Sequence, residues 1–146
     1  MFPRHGRTRP PLLVPSDLDM LREALFAKIH NAVVTECTVE YSGSIVIDQD
    51  LLDATDMLAN EKVLVGDCQN GARFETYIIP GERGSGVIGI KGAAANLTAV
   101  GHRVIILAFC QLTPRQFPTH RPKVIVCDEK NRIARRFKYD PPGIDP

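Results

Sequence analysis

The sequence predicts a mostly β fold: a closed barrel of about six short strands with only a few small helices. Three observations lead there. Aliphatic and β-branched residues recur in runs of strand length, as in Lys62 to Asp67, Val87 to Ile90, Val104 to Gln111 and Lys123 to Asp128. Turn-forming residues separate the runs, as at Gln69-Asn70-Gly71 and in the segment holding Pro114, Pro118 and Pro122. So small a sheet protein gains by closing on itself, because closure removes exposed strand edges.

Residues 1–19 stand apart. Met1 to Pro15 carries four prolines, three arginines and a histidine with little periodicity, so a disordered extension is expected. Leu21 to Val34 reads as a long strand, with a short helix over Leu21 to Lys28 as the competing reading. Strand alternation would put Phe26, Lys28 and His30 on one face and Ala27, Ile29 and Asn31 on the other. Thr35 to Tyr41 and Ile45 to Ile47 are strands joined by Ser42-Gly43-Ser44. Asp48 to Leu58 reads as a short helix, capped by Asp48 or Asp50, with Leu51, Leu52, Met57 and Leu58 as its apolar stripe. Lys62 to Asp67 and Ala72 to Ile79 form a hairpin on an Asn-Gly turn. In the return strand Arg73, Glu75 and Tyr77 alternate with Phe74, Thr76 and Ile78. Gly92 to Leu97 could open a short helix, and the tail from Ala134 is expected to be loose.

The 146 residues suit one domain with one modest core. A net charge of +1 gives no reason to propose nucleic acid or an acidic membrane as partner. No apolar run approaches the roughly 20 residues a membrane span needs. Cys37, Cys68, Cys110 and Cys127 form no C-x-x-C pair and the four histidines no H-x₃₋₅-H pair, which argues against a zinc site. Free thiols beside apolar runs, with no secretory signal, point to a reducing cytoplasm.

Gly84-Ser85-Gly86-Val87-Ile88-Gly89 is literally G-x-G-x-x-G. A dinucleotide site needs a helix after the glycines and an acidic residue about twenty positions on. Neither is present: Val87 to Ile90 reads as strand, and no Asp or Glu occurs between Glu82 and Asp128.

Ser42-Gly43-Ser44 carries the chemistry. Most such triplets are only turns, since Gly supplies φ > 0 and Ser bonds locally to backbone. A Gly-Ser pair can do more. The Ser44 hydroxyl can attack the Gly43 carbonyl, which no side chain shields, if a strained turn holds the two in near-attack geometry. The result is an ester and then a cut chain.

The surroundings favour this second reading. Lys28-Ile29-His30, Val33-Val34-Thr35-Glu36, Tyr41-Ser42-Gly43-Ser44-Ile45, Ile47-Asp48-Gln49-Asp50-Leu51-Leu52-Asp53-Ala54, Asn70-Gly71-Ala72-Arg73-Phe74-Glu75-Thr76-Tyr77, Gly81-Glu82-Arg83-Gly84-Ser85-Gly86 and Lys91-Gly92-Ala93-Ala94-Ala95 follow in order. The set, over roughly Met20 to Ile133, resembles the bacterial aspartate 1-decarboxylases, self-cleaving pyruvoyl enzymes that make β-alanine. The resemblance implies a six-stranded double-psi β-barrel over 20–133, assembled as a homotetramer with sites at subunit boundaries. It implies cleavage between Gly43 and Ser44, with Ser44 becoming an N-terminal pyruvoyl group that forms a Schiff base with L-aspartate. No external cofactor or metal is then required. It makes Arg73 the ligand of a substrate carboxylate, Lys28 a second active-site cation and Tyr77 the proton donor after carbon dioxide leaves. Thr76 assists cleavage and lines the substrate site, which Gly92, Ala93 and Ala94 also contact. An unprocessed, non-enzymatic barrel scaffold and a decarboxylase for another acidic amino acid remain as alternatives.

Two positions depart from the family pattern. Lys91 stands where asparagine is usual; a third cation near Lys28 and Arg73 should strengthen anion binding or lower a lysine pKa, slowing maturation or altering substrate preference without abolishing either. His102 stands where Asp is common; an effect confined to a surface loop is expected.

Overall fold

A computed structural model describes residues 20–140. Nine strands pair into one mixed sheet: β1 (Arg22–Val33), β2 (Glu36–Thr38), β3 (Ser44–Asp48), β4 (Lys62–Asp67), β5 (Arg73–Gly81), β6 (Ile88–Lys91), β7 (Arg103–Leu112), β8 (Lys123–Cys127) and β9 (Ile133–Lys138). One α-helix, α1 (Gln49–Thr55), and two 3-10 turns, Ala93–Leu97 and Phe117–Thr119, complete the described chain. The sheet order is β2-β6-β3-β5-β4-β7-β1-β8-β9. The fold is mostly β as expected, but nine strands stand where about six were expected. The extension expected at 1–19 lies outside the described residues.

β1 is a strand along its whole length, and the helical alternative at its start fails. The stretch that a helix would have covered is instead paired with β7, from Arg22 opposite Leu112 to Lys28 opposite Leu107. Lys28 and His30, half-buried, alternate with the fully buried Ala27 and Ile29. The pairing with β7 shifts register between Ile29 and Ala32, where Asn31 takes φ 60°. That bulge returns Ala32 to the buried side.

α1 starts where expected. Asp48 caps it, its Oδ1 accepting the Asp50 N–H at 2.8 Å. The same carboxylate, 1% exposed, accepts the N–H groups of Gly84 at 3.0 Å and Gly86 at 2.7 Å. This explains the glycine-rich motif. It is a turn wrapped round a buried carboxylate, and a Cβ on Gly86 would lie 2.7 Å from the Lys130 carbonyl. α1 stops at Thr55, short of the expected Leu58, because Asp56 turns left-handed at φ 57°.

The β4–β5 hairpin forms, but its loop is longer than a two-residue Asn-Gly turn. Asp67 N–H donates to Ala72 O at 2.9 Å, and Asp67 Oδ1 accepts the N–H of Gln69 at 2.8 Å and of Asn70 at 3.2 Å. A side chain thus does what a tighter backbone turn would have done.

The expected loose tail is corrected over its first part. Residues 133–138 form β9, antiparallel to β8. β2 is also shorter than the expected Thr35 to Tyr41. Its partner β6 ends at Lys91, so pairing stops at Thr38. The core is aliphatic: Ile29, Ile45, Ile47, Ile78, Ile88 and Ile106, with Leu51 and Leu52 from α1, are all buried. Each such side chain contributes about 1.5–3 kcal/mol on burial.

Candidate active site

The consecutive strands β2 and β3 are not neighbours, because β6 lies between them. Lys91, its last residue, pairs with Thr38 on one side and with Ser44 on the other. Residues 39–43 therefore form a strap crossing the end of β6, from one partner of Lys91 to the other. Gly43 ends the strap and is exposed; Ser44 begins β3 and is 2% exposed. The bond between them sits where free chain becomes sheet.

Gly92 fixes the other wall. Its backbone lies at φ 85°, ψ −154°, a region nearly reserved for glycine. A Cβ there would come within 2.6 Å of Gly43 Cα, 2.8 Å of Gly43 N and 2.9 Å of Tyr41 O. Gly92 N–H donates to Thr38 O at 2.8 Å. Ala93 and Ala94 follow in the 3-10 turn, exposed and half-buried respectively.

β5 brings Thr76 and Tyr77 alongside. It runs parallel to β3 with Ile45 opposite Ile78. Ser44 precedes Ile45 and Tyr77 precedes Ile78, so both residues enter this paired stretch from the same end. The alternation of β5 is as expected: Phe74 and Ile78 are buried and Thr76 half-buried, while Arg73, Glu75 and Tyr77 face outward.

Two expected site residues are not drawn in by the single chain. Arg73 opens β5, four residues or about 13 Å of strand from Tyr77. Lys28 lies on β1, which β5, β4 and β7 separate from β3 in the sheet. It sits in a cleft of about 380 Å³ with His30, Arg135, Phe137 and Tyr139. Its Nζ donates to the Tyr139 hydroxyl at 3.4 Å and stands 6.0 Å over that ring. Burial first, and then the Lys28 charge, push the His30 pKa below its ordinary value, and among the described residues its buried Nδ1 has no hydrogen-bond partner.

Lys91 does not act as a free third cation. Its Nζ bonds Glu36 Oε2 at 2.8 Å and stands 5.4 Å over the Tyr41 ring. Glu36 and Tyr41 stand within the motif blocks, but nothing in the sequence assigns either a role of its own. Glu36 is 55 residues away from its partner, and only the β2–β6 register brings the two together.

His102 is corrected as well. Its effect is not confined to a surface loop, because its Nδ1 contacts Asp67 Oδ2 at 2.7 Å on a carboxylate whose side chain is 0% exposed. Burial pushes the Asp67 pKa up. Hydrogen bonds from His102 and from the N–H groups of Gln69 and Asn70 outweigh it and hold the carboxyl below its ordinary range.

Comparison with known proteins gives the family. The aspartate decarboxylase family model matches residues 20–134. The chain belongs to the aspartate decarboxylase family. It is 53% identical over 116 residues to the aspartate 1-decarboxylase of Caldicellulosiruptor saccharolyticus, covering 80% of this chain and 91% of that protein. It is 56% identical over 121 residues to that of Exiguobacterium sibiricum, covering 83% and 95%. It is 49% identical over 123 residues to that of Neisseria meningitidis, covering 84% and 97%. The aspartate decarboxylase match thus spans every residue described from β1 into β9. Among the described residues no helix is long and apolar enough to cross a membrane.

Proposed function

We propose that this chain is a self-processing aspartate 1-decarboxylase, converting L-aspartate to β-alanine and carbon dioxide for pantothenate synthesis in the cytoplasm. The observation that carries the reading is the packing of Gly92 backbone on Gly43, beside the buried Ser44. Ser44 Oγ attacks the Gly43 carbonyl carbon; the C–N bond breaks and the C–O bond forms, giving an ester. Elimination across Ser44 Cα–Cβ releases the chain ending at Gly43 as a carboxylate. Water then replaces the nitrogen left on residue 44, ammonia departs, and a pyruvoyl end remains. Holding attacker and carbonyl together is the main lever, since oriented intramolecular attack reaches effective molarities of roughly 10⁵ M or more. Thr76, on the strand beside β3, supplies a hydroxyl to the cleavage site.

The site fits the group. Residue 44 is enclosed, Gly43 carries no side chain to shield its carbonyl, and Gly92 to Ala94 offer a wall of small residues. The pyruvoyl group supplies a carbonyl that binds the substrate amine and takes up the electrons freed by decarboxylation. The side chains do the rest. Arg73, planar and permanently charged, grips a substrate carboxylate bidentately. Lys28 adds a second positive charge for a dicarboxylate. Tyr77 returns a proton to the substrate carbon as general acid. Lys28 and Arg73 lie apart from Ser44 in one chain, which supports a site completed in a homotetramer at subunit boundaries. The insertion of β6 between β2 and β3 supports a double-psi barrel as the scaffold.

Intact mass after expression tests the reading. Fragments 1–43 and 44–146 are expected, the second bearing a carbonyl that reacts with hydroxylamine. Ser44→Ala should stay whole and release no carbon dioxide. A wild-type chain that decarboxylates aspartate while uncut would overturn the proposal.

A further inference from the structure

The strap, residues 39–43, is tied down thinly. Among the described residues no hydrogen bond joins 39–43 to the remainder of the chain. Val39 and Tyr41 are 50% and 66% exposed, although strand pairing holds both ends of the strap. Gly92 lies against the Gly43 backbone and the Tyr41 carbonyl, and the Tyr41 ring lies beneath the Lys91 ammonium at 5.4 Å. Lys91 is held in turn by Glu36 at 2.8 Å, and its side chain is only 18% exposed.

From this, resting on the self-cleavage reading, we infer that Lys91 is a positioning residue for maturation, clamping the strap through Tyr41 while Glu36 on β2 fixes the ammonium. The backbone of Lys91 already holds Ser44, the attacking residue, through the β3–β6 ladder. Its side chain holds the Tyr41 end of the strap that delivers Gly43, the attacked residue. One residue thus positions both partners of the reaction. Glu36 gives the arrangement direction: it balances the charge of Lys91 and keeps the ammonium on the ring rather than in solvent. The strap is weakly held, so each lost contact lowers the docked population that can react.

Freshly synthesised precursor, incubated and followed by intact mass, tests this. Lys91→Met keeps the length of the side chain but loses the charge. It should cleave about three- to tenfold more slowly, the range set by an ion pair and a cation–ring contact of ordinary strength. Lys91→Arg keeps both contacts and should cleave near the wild-type rate. Tyr41→Leu should slow cleavage comparably. The double variant Lys91→Met/Tyr41→Leu should be no slower than the slower single, because one contact can be lost only once. Melting temperatures of uncleaved precursors, compared at one protein concentration, separate positioning from stability. Lys91→Met at the wild-type rate, Lys91→Arg as slow as Lys91→Met, slowings that multiply, or rates that follow melting temperature would each overturn the inference. A wild-type precursor that stays whole would instead refute self-cleavage itself, and this role with it.

Discussion

Gly92→Ala probes the contact on which cleavage is proposed to depend. The substitution acts twice. An alanine at φ 85°, ψ −154° costs about 1–3 kcal/mol in backbone strain. Its Cβ also lands 2.6 Å from Gly43 Cα and 2.8 Å from Gly43 N, both backbone atoms that no rotamer change can move aside. Van der Waals contact between carbons needs about 3.5–4 Å, so the strap must retreat by roughly 1 Å. A displacement of that size at a reacting centre can cost about 10²-fold in rate.

The expected result is a folded precursor, melting a few degrees lower, that cleaves about a hundredfold more slowly. Gly71→Ala is the control. Gly71 also has positive φ, +74°, but a Cβ there meets nothing within 4 Å. It should lower the melting temperature through strain alone, by about 1–2 kcal/mol in stability, and leave cleavage unchanged. Both rates are read by intact mass against time. Gly92→Ala cleaving like wild type would refute the idea that Gly43 is held in place by this wall. Equal slowing in Gly71→Ala would show that lost stability, not lost geometry, sets the rate.

Other expectations follow from single groups. Tyr77→Phe should cleave normally but decarboxylate about 10²–10⁴-fold more slowly, measured as carbon dioxide release; unchanged turnover would remove Tyr77 as the acid. Asp67→Ala strands His102 and the N–H groups of Gln69 and Asn70, and should cost about 2 kcal/mol or more at neutral pH. The folded Asp67 carboxyl titrates below its unfolded value of about 3.9, so its contribution is complete above that value and is lost as pH falls through the depressed one. The gap in melting temperature between wild type and variant should therefore close in acid; a gap that persists to the lowest pH at which both fold would count against the linkage. Cys127 is buried, and burial pushes its thiol pKa up to about 12, while Cys68 is exposed. Maleimide should label Cys68 in the native protein and Cys127 only on unfolding, by peptide mass; early labelling of Cys127 would contradict its burial.

What was legible in the sequence was local. The alternation in β1 and β5 and the Asp48 cap follow from residues within a few positions of each other, and the failure of the glycine motif as a nucleotide loop from the strand after it and the missing acid further on. What was not legible depends on pairing between distant segments. β9 reads as a loose tail because it pairs with β8 alone. It is an edge strand whose residues 134–136 are exposed, including Arg135 and Arg136, so no burial pattern marks it. Residues 39–41 read as strand because Val39 and Tyr41 favour strands, yet a strand needs a partner and β6 has ended. His102 looked superficial until β4 and β7 placed it on Asp67, 35 residues away. The Ser42-Gly43-Ser44 turn is legible, but the wall beside it is not: nothing local in Gly92 announces that Gly43 lies against it.

The positions of Lys28 and Ser44 decide how a complete site could be tested. In one chain Lys28 is engaged with Tyr139 on β1, and Ser44 lies on β3 across three intervening strands. If each proposed site takes Ser44 from one subunit and Lys28 from another, two inactive variants can complement each other. Ser44→Ala has no reactive end, and Lys28→Ala lacks a substrate cation. Co-expressed in equal amounts and mixed at random, they leave about a quarter of boundary sites with both residues intact, since Ser44 must come from one variant and Lys28 from the other. Activity near a quarter of wild type, against background for either variant alone, is the expected outcome. If both residues came from the same chain, no mixed assembly would contain an intact site. Activity no greater than that of the separate variants would then place Lys28 and Ser44 in one subunit and rule out a shared site.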